Sequence, residues 1–493
     1  MTPRIEPPAL PGMEPLFASI REEAARLKTR ALVVGGYVRD RLLGGERAGQ
    51  IREVDILVEG GQGLELARAT AMRLGASPPV VFERFGTAHA RIGDLDVEFV
   101  STRAERYDPQ SRKPNVRPAS LDEDVMRRDF TVNTLLMDWD GTVLDLTGRG
   151  LRDLAERRIV TPLDPRATFD EDPLRMLRAV RFATVLRFEL DPAVISAIRE
   201  AASRLGPPVV SMERIHDELR KLLLAEDVER GLQLLDETGL LVRILPQLEP
   251  GKGVEQGGWH SHDVFGHGLR AAQLAPPDLR TRLAALLHDV GKPATRDIKD
   301  GKITFIGHPE VGATMAQDAL KRLRFSSDEI DAVAKLVRLH MRPIQYDPEG
   351  WEDKAVRRLV RDAGPELPAL LALARADMRA SHFPNVDKID HLEERIRRLD
   401  AAQINAITSP LTGEELMARY RRQPGPWIKR IKSALEDAII DGVLPADKEA
   451  AWRHLEEHPE LLTEQAVMPQ SEKGLQSAGK KPDELAGDGD AGD

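Results

Sequence analysis

The sequence contains no cysteine. Disulfides and thiolate metal sites are therefore excluded, and any metal must be held by histidine and carboxylate. Nor does it contain roughly eighteen consecutive apolar residues, the length a membrane-spanning helix needs, so no membrane partner is expected. The first residues carry Pro7, Pro8 and Pro11 without a charged-then-apolar stretch, and the expected location is the cytoplasm. No internal repeat is visible. Basic residues are in deficit, 71 Lys and Arg against 81 Asp and Glu, for a formal net charge of −10. That balance argues against indiscriminate coating of nucleic acid while leaving room for a local basic groove.

What is present is a long, rather polar globular chain, 41% hydrophobic and 31% charged. Its 493 residues exceed one hydrophobic core, so about three to four domains are expected. The stretch everything else is organised around runs from Gly35 to Asp55. It follows an apolar run, Ala31 to Val34, that reads as a buried strand. Gly35 and Gly36 let the backbone approach a ligand, and Tyr37 to Leu43 reads as a short helix whose start offers N–H groups to a triphosphate. Val54 to Val58 reads as a strand. Glu53 and Asp55, two residues apart at strand spacing, aim both carboxylates at one point. Paired carboxylates hold divalent ions that bridge phosphates and activate an attacking oxygen. Strand, Gly-Gly turn, helix and carboxylate pair together outline a nucleotidyl-transfer site.

Around this core, residues 15–30 read as an amphipathic helix and Val80 to Phe85 as a strand. His89 to Ile92 and Asp96 to Val100 form a further strand pair that places Glu98 as a third carboxylate. From Arg103 to Arg128 the polar, proline-bearing sequence reads as a long loop. Arg127 and Arg128 are candidates for phosphate and Asp129 for a ribose hydroxyl. Asp138 to Gly141 reads as a hairpin turn. Residues 150–224 then read as wholly helical. Asp172 before Pro173 reads as an N-cap followed by N1. Arg175, Arg178 and Arg181 recur along one helix flank, while Leu174, Leu177 and Val180 face a core. Asp172 and Arg175 present an acceptor and a donor suited to the edge of a base.

GGYVRD with EVD, RRDFTVN, EDPLRMLRAVRFA and ERIHDEL, in this order over roughly residues 30–225, resemble the class II tRNA nucleotidyltransferase and bacterial poly(A) polymerase family. The resemblance implies that Gly35, Gly36 and Arg39 lie at the nucleotide and that Glu53 and Asp55 hold Mg²⁺ beside Glu98. It implies that Arg127, Arg128, Asp129 and Asn133 serve ribose and phosphate. Asp172 and Arg175 would pair with the incoming base in place of a template, flanked by Arg178 and Arg181. The family has Asp where this chain has Glu53, and about four extra residues separate the Gly-Gly turn from the acid pair; a longer ligand displaces the metal unless the connection compensates.

A second constellation lies between Trp259 and Tyr346, which holds six of the twelve histidines. His267, His288 with Asp289, His308, His340 and Asp377 fall on separate predicted helices, a distribution that ordinary core histidines do not explain. With LLHDVGK, they resemble the HD phosphohydrolase superfamily. By that resemblance His267, His288, Asp289 and Asp377 ligate one metal, His308 and His340 hold a second, and Lys292 meets a substrate phosphate. The donor set suits Mn²⁺, Ni²⁺, Co²⁺ or Mg²⁺.

From Met417 to Ser433 six basic residues, Arg419, Arg421, Arg422, Lys429, Arg430 and Lys432, occur without an acid, and Tyr420 and Trp427 lie among them. Such a helix–turn–helix suits an RNA backbone and unstacked bases. The expected fold is multidomain α+β. Residues 15–150 form a polymerase-β-like nucleotidyltransferase head with a mixed sheet plus helices. An all-α neck (151–250), HD domain (258–385) and tail (400–463) follow, and then a disordered segment (464–493). The expected function is template-independent addition of CMP and/or AMP from CTP and ATP to the 3′ end of tRNA. Poly(A) synthesis shares every motif. An HD phosphohydrolase or an RNA-binding protein with an inactive head are the readings from other classes.

Overall fold

Ala31–Val34 is buried at all four positions, which is why this short apolar run becomes an interior strand. The computed structural model describes residues 4–5, 13–45, 51–83, 86–106, 115–256, 262–381, 386–399 and 407–462. The head contains α1 (Met13–Leu27), β1 (Ala31–Val34), α2 (Gly36–Leu43), β2 (Glu53–Val58), α3 (Gly63–Arg73), β3 (Val80–Phe82), β4 (Thr87–Ile92) and β5 (Leu95–Ser101). It continues with β6 (Arg103–Arg106), β7 (Asn115–Pro118), α4 (Leu121–Met126), β8 (Leu136–Met137) and β9 (Val143–Leu144). Seven strands form one mixed sheet in the order β3-β4-β5-β2-β1-β8-β9, with β2 and β5 parallel.

Register decides what shares a face. Asp55 lies opposite Val34 on β1 and Glu98 on β5; Glu98 lies opposite His89, and His89 opposite Val80. Paired residues project to the same side, so this row crosses one face of the sheet. Toward β1 the face is closed by Leu121 and Val125 of α4, packed with Leu32, Val34, Leu57 and Leu136. The opposite face carries Val33, Ile56, Ala88 and Phe99, all buried, and α3 packs on β4 and β5.

Several expectations change. The long loop Arg103–Arg128 instead pairs β6 with β7 as a two-stranded antiparallel sheet and then enters α4, where Ser120 and Glu123 form a capping box. Residues 107–114 of that loop lie outside the described residues, as do 46–50 in the connection before Glu53 and 84–85 at the end of the expected Val80–Phe85 strand.

The neck is not wholly helical, because β10 (Arg158–Ile159) and β11 (Glu189–Leu190) pair in parallel. Among its helices are α5 (Pro165–Glu171), α6 (Leu174–Leu186), α7 (Pro192–Ala201) and α8 (Met212–Leu223). Asp172 closes α5, and Pro173 is the residue before α6. The Asp172 carboxylate still accepts the Leu174 N–H at 3.1 Å, so the capping chemistry persists one residue away from the expected position. Leu174, Leu177 and Val180 are buried, as the pattern requires.

The HD region is built from α9 (Val264–Leu274), α10 (Leu279–Leu287), the hairpin β12 (Asp297–Lys299) and β13 (Lys302–Thr304), α11 (His308–Arg322), α12 (Ser327–Leu339) and α13 (Leu367–Ala380). By internal contacts the described residues up to Ile344 and Pro368–Val386 form one unit, while Gln345–Leu367 joins the described residues from Asp387 onward in a second. By its contacts the segment Gln345–Leu367, inside the stretch read as HD, falls in this second unit. In that second unit, Leu411, Leu416, Trp427, Ile431, Leu435, Ala451 and Leu455 form the core, and Arg358 and Arg361 pair with Asp441 and Asp437. Residues 400–406 and 463–493 lie outside the described residues. No described helix is long and apolar enough to cross a membrane.

Candidate active sites

The first site gathers on the open part of the sheet face. Gly35 takes φ 77°, in the left-handed region that favours glycine, and caps α2. A Cβ there would lie 3.5 Å from Asp55 Oδ2 and 3.9 Å from Arg128 Nη1, so the Gly-Gly turn, the acid and an arginine meet at one point. Burial, reinforced by Glu98 and then opposed by Arg128, holds the Asp55 carboxyl up at about 6. Glu53, Asp55 and Glu98 share one face and repel one another. A divalent cation would relieve that repulsion, and an all-carboxylate donor set fits one.

Beside the carboxylates runs a cleft of about 390 Å³ lined by Asp55, Glu98, Arg127, Arg128, Asp129, Asp172, Arg175, Arg178 and Arg214. Arg127 and Arg128 donate to the two oxygens of Asp124, at 2.9 and 3.2 Å, and the Asp124 side chain is fully buried beneath them. Asp172 is bound by Arg214 Nη2 at 2.7 Å, and Arg175 donates to Glu171 at 2.7 Å. The expected acceptor–donor pair is therefore assembled from two helices, each member steadied by a partner of its own.

The remaining predicted nucleotide residues are committed inward. Asp129 accepts from Arg178 Nε and Nη2 at 3.0 and 2.6 Å, from Asn133 at 3.1 Å and from the Phe130 N–H at 2.8 Å. Burial pushes its carboxyl up, but the Arg178 guanidinium and Asn133 outweigh burial and hold it at about 2. Asn133 accepts from Arg39 at 2.6 Å, while Arg39 is also bound to Asp40. Arg178 and Arg181 both reach Glu218 on α8, at 3.2 and 2.5 Å. Arg39, Arg178 and Arg181 all lie against the Phe182 ring. The expected guanidinium stripe is thus a brace joining α2, α6 and α8, in which Arg178 holds Asp129 while both residues still line the cleft. A buried charge needs such partners to be tolerated.

The second site is enclosed. His267, His288, Asp289, His308, His340 and Asp377 are all buried. His267 Nε2 lies 2.9 Å from Asp377 Oδ1, and His288 Nε2 lies 3.1 Å from Asp289 Oδ2. On the other side of Asp289, Oδ1 lies 3.5 Å from His308 Nε2 and 3.8 Å from His340 Nε2. His288, His308 and His340 each donate Nδ1–H to the carbonyl three residues earlier, Ala285, Phe305 and Val337, at 2.8, 2.7 and 2.6 Å. That bond fixes each ring and turns Nε2 inward, where it could ligate a metal.

Asp289 Oδ1 and His288 Nε2 are buried without a hydrogen-bond partner, a costly arrangement that a cation resolves. Burial lowers His288, but Asp289 and Asp377 outweigh it and raise the imidazole to about 9, while burial and His288 push His340 down to about 3. The residues fit a divalent metal. Gly291 explains the glycine after H-D-V: a Cβ there would meet His308 O at 2.3 Å and Gly312 N at 2.7 Å. Lys292, expected at a phosphate, donates to Asp289 at 2.7 Å and to Gln256 at 2.6 Å.

In the second unit the aromatic expectation changes: Trp427 is buried and Tyr420 packs on the same core, so neither is an open stacking platform. Arg419 pairs with Glu456, Arg422 lies over Trp427 and donates to Leu462 O, and Arg421 ends its helix in the left-handed region. Lys429 is exposed, and Arg430 and Lys432 are half-buried.

Arg214, Asp124, Glu218 and His89 were not singled out from sequence. Arg214 and Glu218 stand inside ERIHDEL, and Asp124 stands three and four residues before the arginine pair, a helical ion-pair spacing that signals it. His89 carries no local signal, because only register puts it opposite Glu98.

Family models match residues 31–160 (poly A polymerase head domain), 187–252 (probable RNA and SrmB- binding site of polymerase A) and 260–381 (HD domain). An A-adding tRNA nucleotidyltransferase of Deinococcus radiodurans is 34% identical over 85% of this chain and 94% of its own length. A CC-adding tRNA nucleotidyltransferase of Thermus thermophilus is also 34% identical, over 85% and 92%. The crystal structure of the Bacillus stearothermophilus CCA-adding enzyme in complex with CTP has the same fold. It matches with TM-score 0.64 and 24% identity, over 92% of this chain and 98% of that one. With head, RNA-binding and HD models matched in that order, and relatives this similar along most of their length, the chain belongs to the tRNA nucleotidyltransferase and poly(A) polymerase family and carries an appended HD domain.

Proposed function

We propose that this enzyme transfers CMP and/or AMP from CTP and ATP to the 3′ end of tRNA without a nucleic acid template. The observation that carries the reading is that Asp55 and Glu98 border an arginine-lined cleft whose far end holds Asp172 and Arg175. The acceptor 3′ oxygen bonds to the α-phosphorus, the bond to pyrophosphate breaks, and the hydroxyl proton is lost. Divalent ions held by Glu53, Asp55 and Glu98 would supply Lewis acidity, favouring ionisation of that hydroxyl and neutralising phosphate charge. Arg127 and Arg128, kept in place by Asp124, hold the triphosphate. A carboxylate has lone pairs to spare, so Asp172 can accept from a base while keeping Arg214, and Arg175 can donate while keeping Glu171. Arg39, Asp129, Asn133, Arg178 and Arg181 brace this frame through Glu218. In the second unit, Arg419, Arg421, Arg422, Lys429, Arg430 and Lys432 contact the RNA backbone by charge, not by stacking.

The buried His and Asp cluster favours a second activity on the same chain, hydrolysis of a phosphomonoester or a 2′,3′-cyclic phosphate. His267, His288, Asp289, His308, His340 and Asp377 would hold Mn²⁺, Ni²⁺, Co²⁺ or Mg²⁺, which would supply Lewis acidity there. Incubating the protein with tRNA lacking its 3′ terminus and each nucleoside triphosphate in turn tests the transferase reading. Incorporation confined to CTP, to ATP or to both assigns the product, and none with any of them removes the reading.

A further inference from the structure

Two cavities meet at Asp55 and Glu98. One is the arginine-lined cleft running to the neck helices. The other, about 440 Å³, runs toward the sheet edge and is lined by Val80, His89, Arg91, Glu53 and Asp96 in addition to the shared pair. Their charges are opposed. The neck cleft carries five guanidiniums against four carboxylates, a small positive excess. The edge cavity carries four carboxylates and one guanidinium, Arg91, which Asp96 holds at 2.7 Å. A triphosphate is repelled by the edge cavity and drawn to the cleft.

The edge strand itself is unusual for its apolar exposure: Val80 is 62% and Phe82 45% accessible. Phe82 meets the His89 ring edge to face at 5.6 Å, and His89 and Val80 sit in the same cross-strand row as Asp55 and Glu98. Aromatic and apolar surface of this kind suits the face of an unstacked base, which every nucleotide offers. In phosphoryl transfer the attacking and leaving oxygens lie roughly in line across the phosphorus. If the pyrophosphate lies on the arginine side, the attacking hydroxyl must enter from the other side of the same carboxylates, and that is the edge cavity.

We propose that Val80, Phe82 and His89 form a shelf for the 3′-terminal nucleoside of the RNA acceptor, its base on the shelf and its ribose hydroxyl turned to Asp55 and Glu98. The proposal rests on the nucleotidyl-transfer reading above. Phe82 is the informative position, because its side chain is half-exposed and lies outside the carboxylate cluster. Addition of one nucleotide to an acceptor RNA is measured with RNA and nucleotide varied in turn. Phe82→Ala raises the KM for RNA about tenfold and leaves the KM for CTP and ATP within about twofold, and Phe82→Trp restores the parent value. Val80→Ser acts in the same direction. On the parent protein, an acceptor ending in 4-thiouridine crosslinks to β3 or β4.

The shelf is overturned if an active parent shows no crosslink to either strand. It is also overturned if the Phe82→Ala and Val80→Ser variants keep the parent KM for RNA, or if the nucleotide KM rises instead. If the parent adds no nucleotide to any RNA end, the transferase reading fails and the shelf fails with it.

Discussion

The two candidate metal sites of the first unit are assembled in opposite ways. The transferase carboxylates stand on a sheet face that opens at one edge, and the Glu98 side chain is 35% accessible. The HD ligands lie inside a helical core, with His267 and His340 wholly buried. A rack of carboxylates on strands can stay open, since backbone pairing holds its geometry and the acids remain hydrated at one end. Imidazoles sealed among helices need their lone pairs filled, so a metal bound there would support the fold as well as the chemistry. Removing a transferase ligand should therefore cost rate without stability, and removing HD ligands should cost both.

The largest expected effect is at Asp55. Asp55→Ala should lower nucleotide addition by about 10³-fold or more while RNA binding holds and the melting temperature does not fall. Near-parent incorporation by the folded variant would remove Asp55 from the mechanism. Replacing His288 and Asp289 together with Ala should abolish phosphoester hydrolysis and metal-dependent thermal protection, yet leave nucleotide addition within about threefold of the parent. Loss of nucleotide addition in that variant would show the two sites to be coupled. Glu53→Gln should reduce nucleotide addition by about 10²-fold, because a neutral amide is a poor metal ligand. A variant as active as the parent would leave the metal to Asp55 and Glu98. Asp172→Ala should weaken discrimination among nucleoside triphosphates about tenfold with smaller change in overall turnover, since a mismatched base then leaves no protein group unpaired.

The smallest effect sharpens the comparison through pH. The Asp55 carboxyl is raised to about 6 from its ordinary 3.8. Its contribution to folding stability is thus present below about pH 4 and is lost as pH rises through about 6. Asp55→Asn should accordingly raise the melting temperature at pH 7.5 more than at pH 5. Mg²⁺ should stabilise the parent more at the higher pH, where the proton no longer competes. Calorimetry showing equal Mg²⁺ protection at both values would contradict the placement of the ion at Asp55.

Much of both sites was legible as local chemistry. Glu53 and Asp55 two apart on a strand share a face by backbone geometry alone, and Gly35 before a helix carries its own conformational signal. The histidines stood out because apolar helices have little reason to end in His-Asp. The fates of Asp129, Arg178 and Arg181 were not legible. Whether an acid and an arginine meet a ligand or each other depends on partners 49 residues away for Asp129 and Arg178 and 40 away for Arg178 and Glu218. Tyr420 and Trp427 misled for a related reason, since an aromatic beside arginines looks the same whether it faces RNA or a core.

By itself, then, the sequence determined the inventory: the main strands and helices of the head and HD stretch, which segments carry candidate metal ligands, and that thiolate chemistry is absent. Those properties depend on backbone periodicity and on side-chain type within a few residues. Only the tertiary structure decided the pairing. Strand register set Asp55 opposite Glu98 and Glu98 opposite His89, and helix packing set Arg178 between Asp129 and Glu218 and brought Asp172 and Arg175 to the same cleft. Register and packing are chosen by burial summed over the whole sheet and bundle, in which no single residue's neighbours in the chain take part.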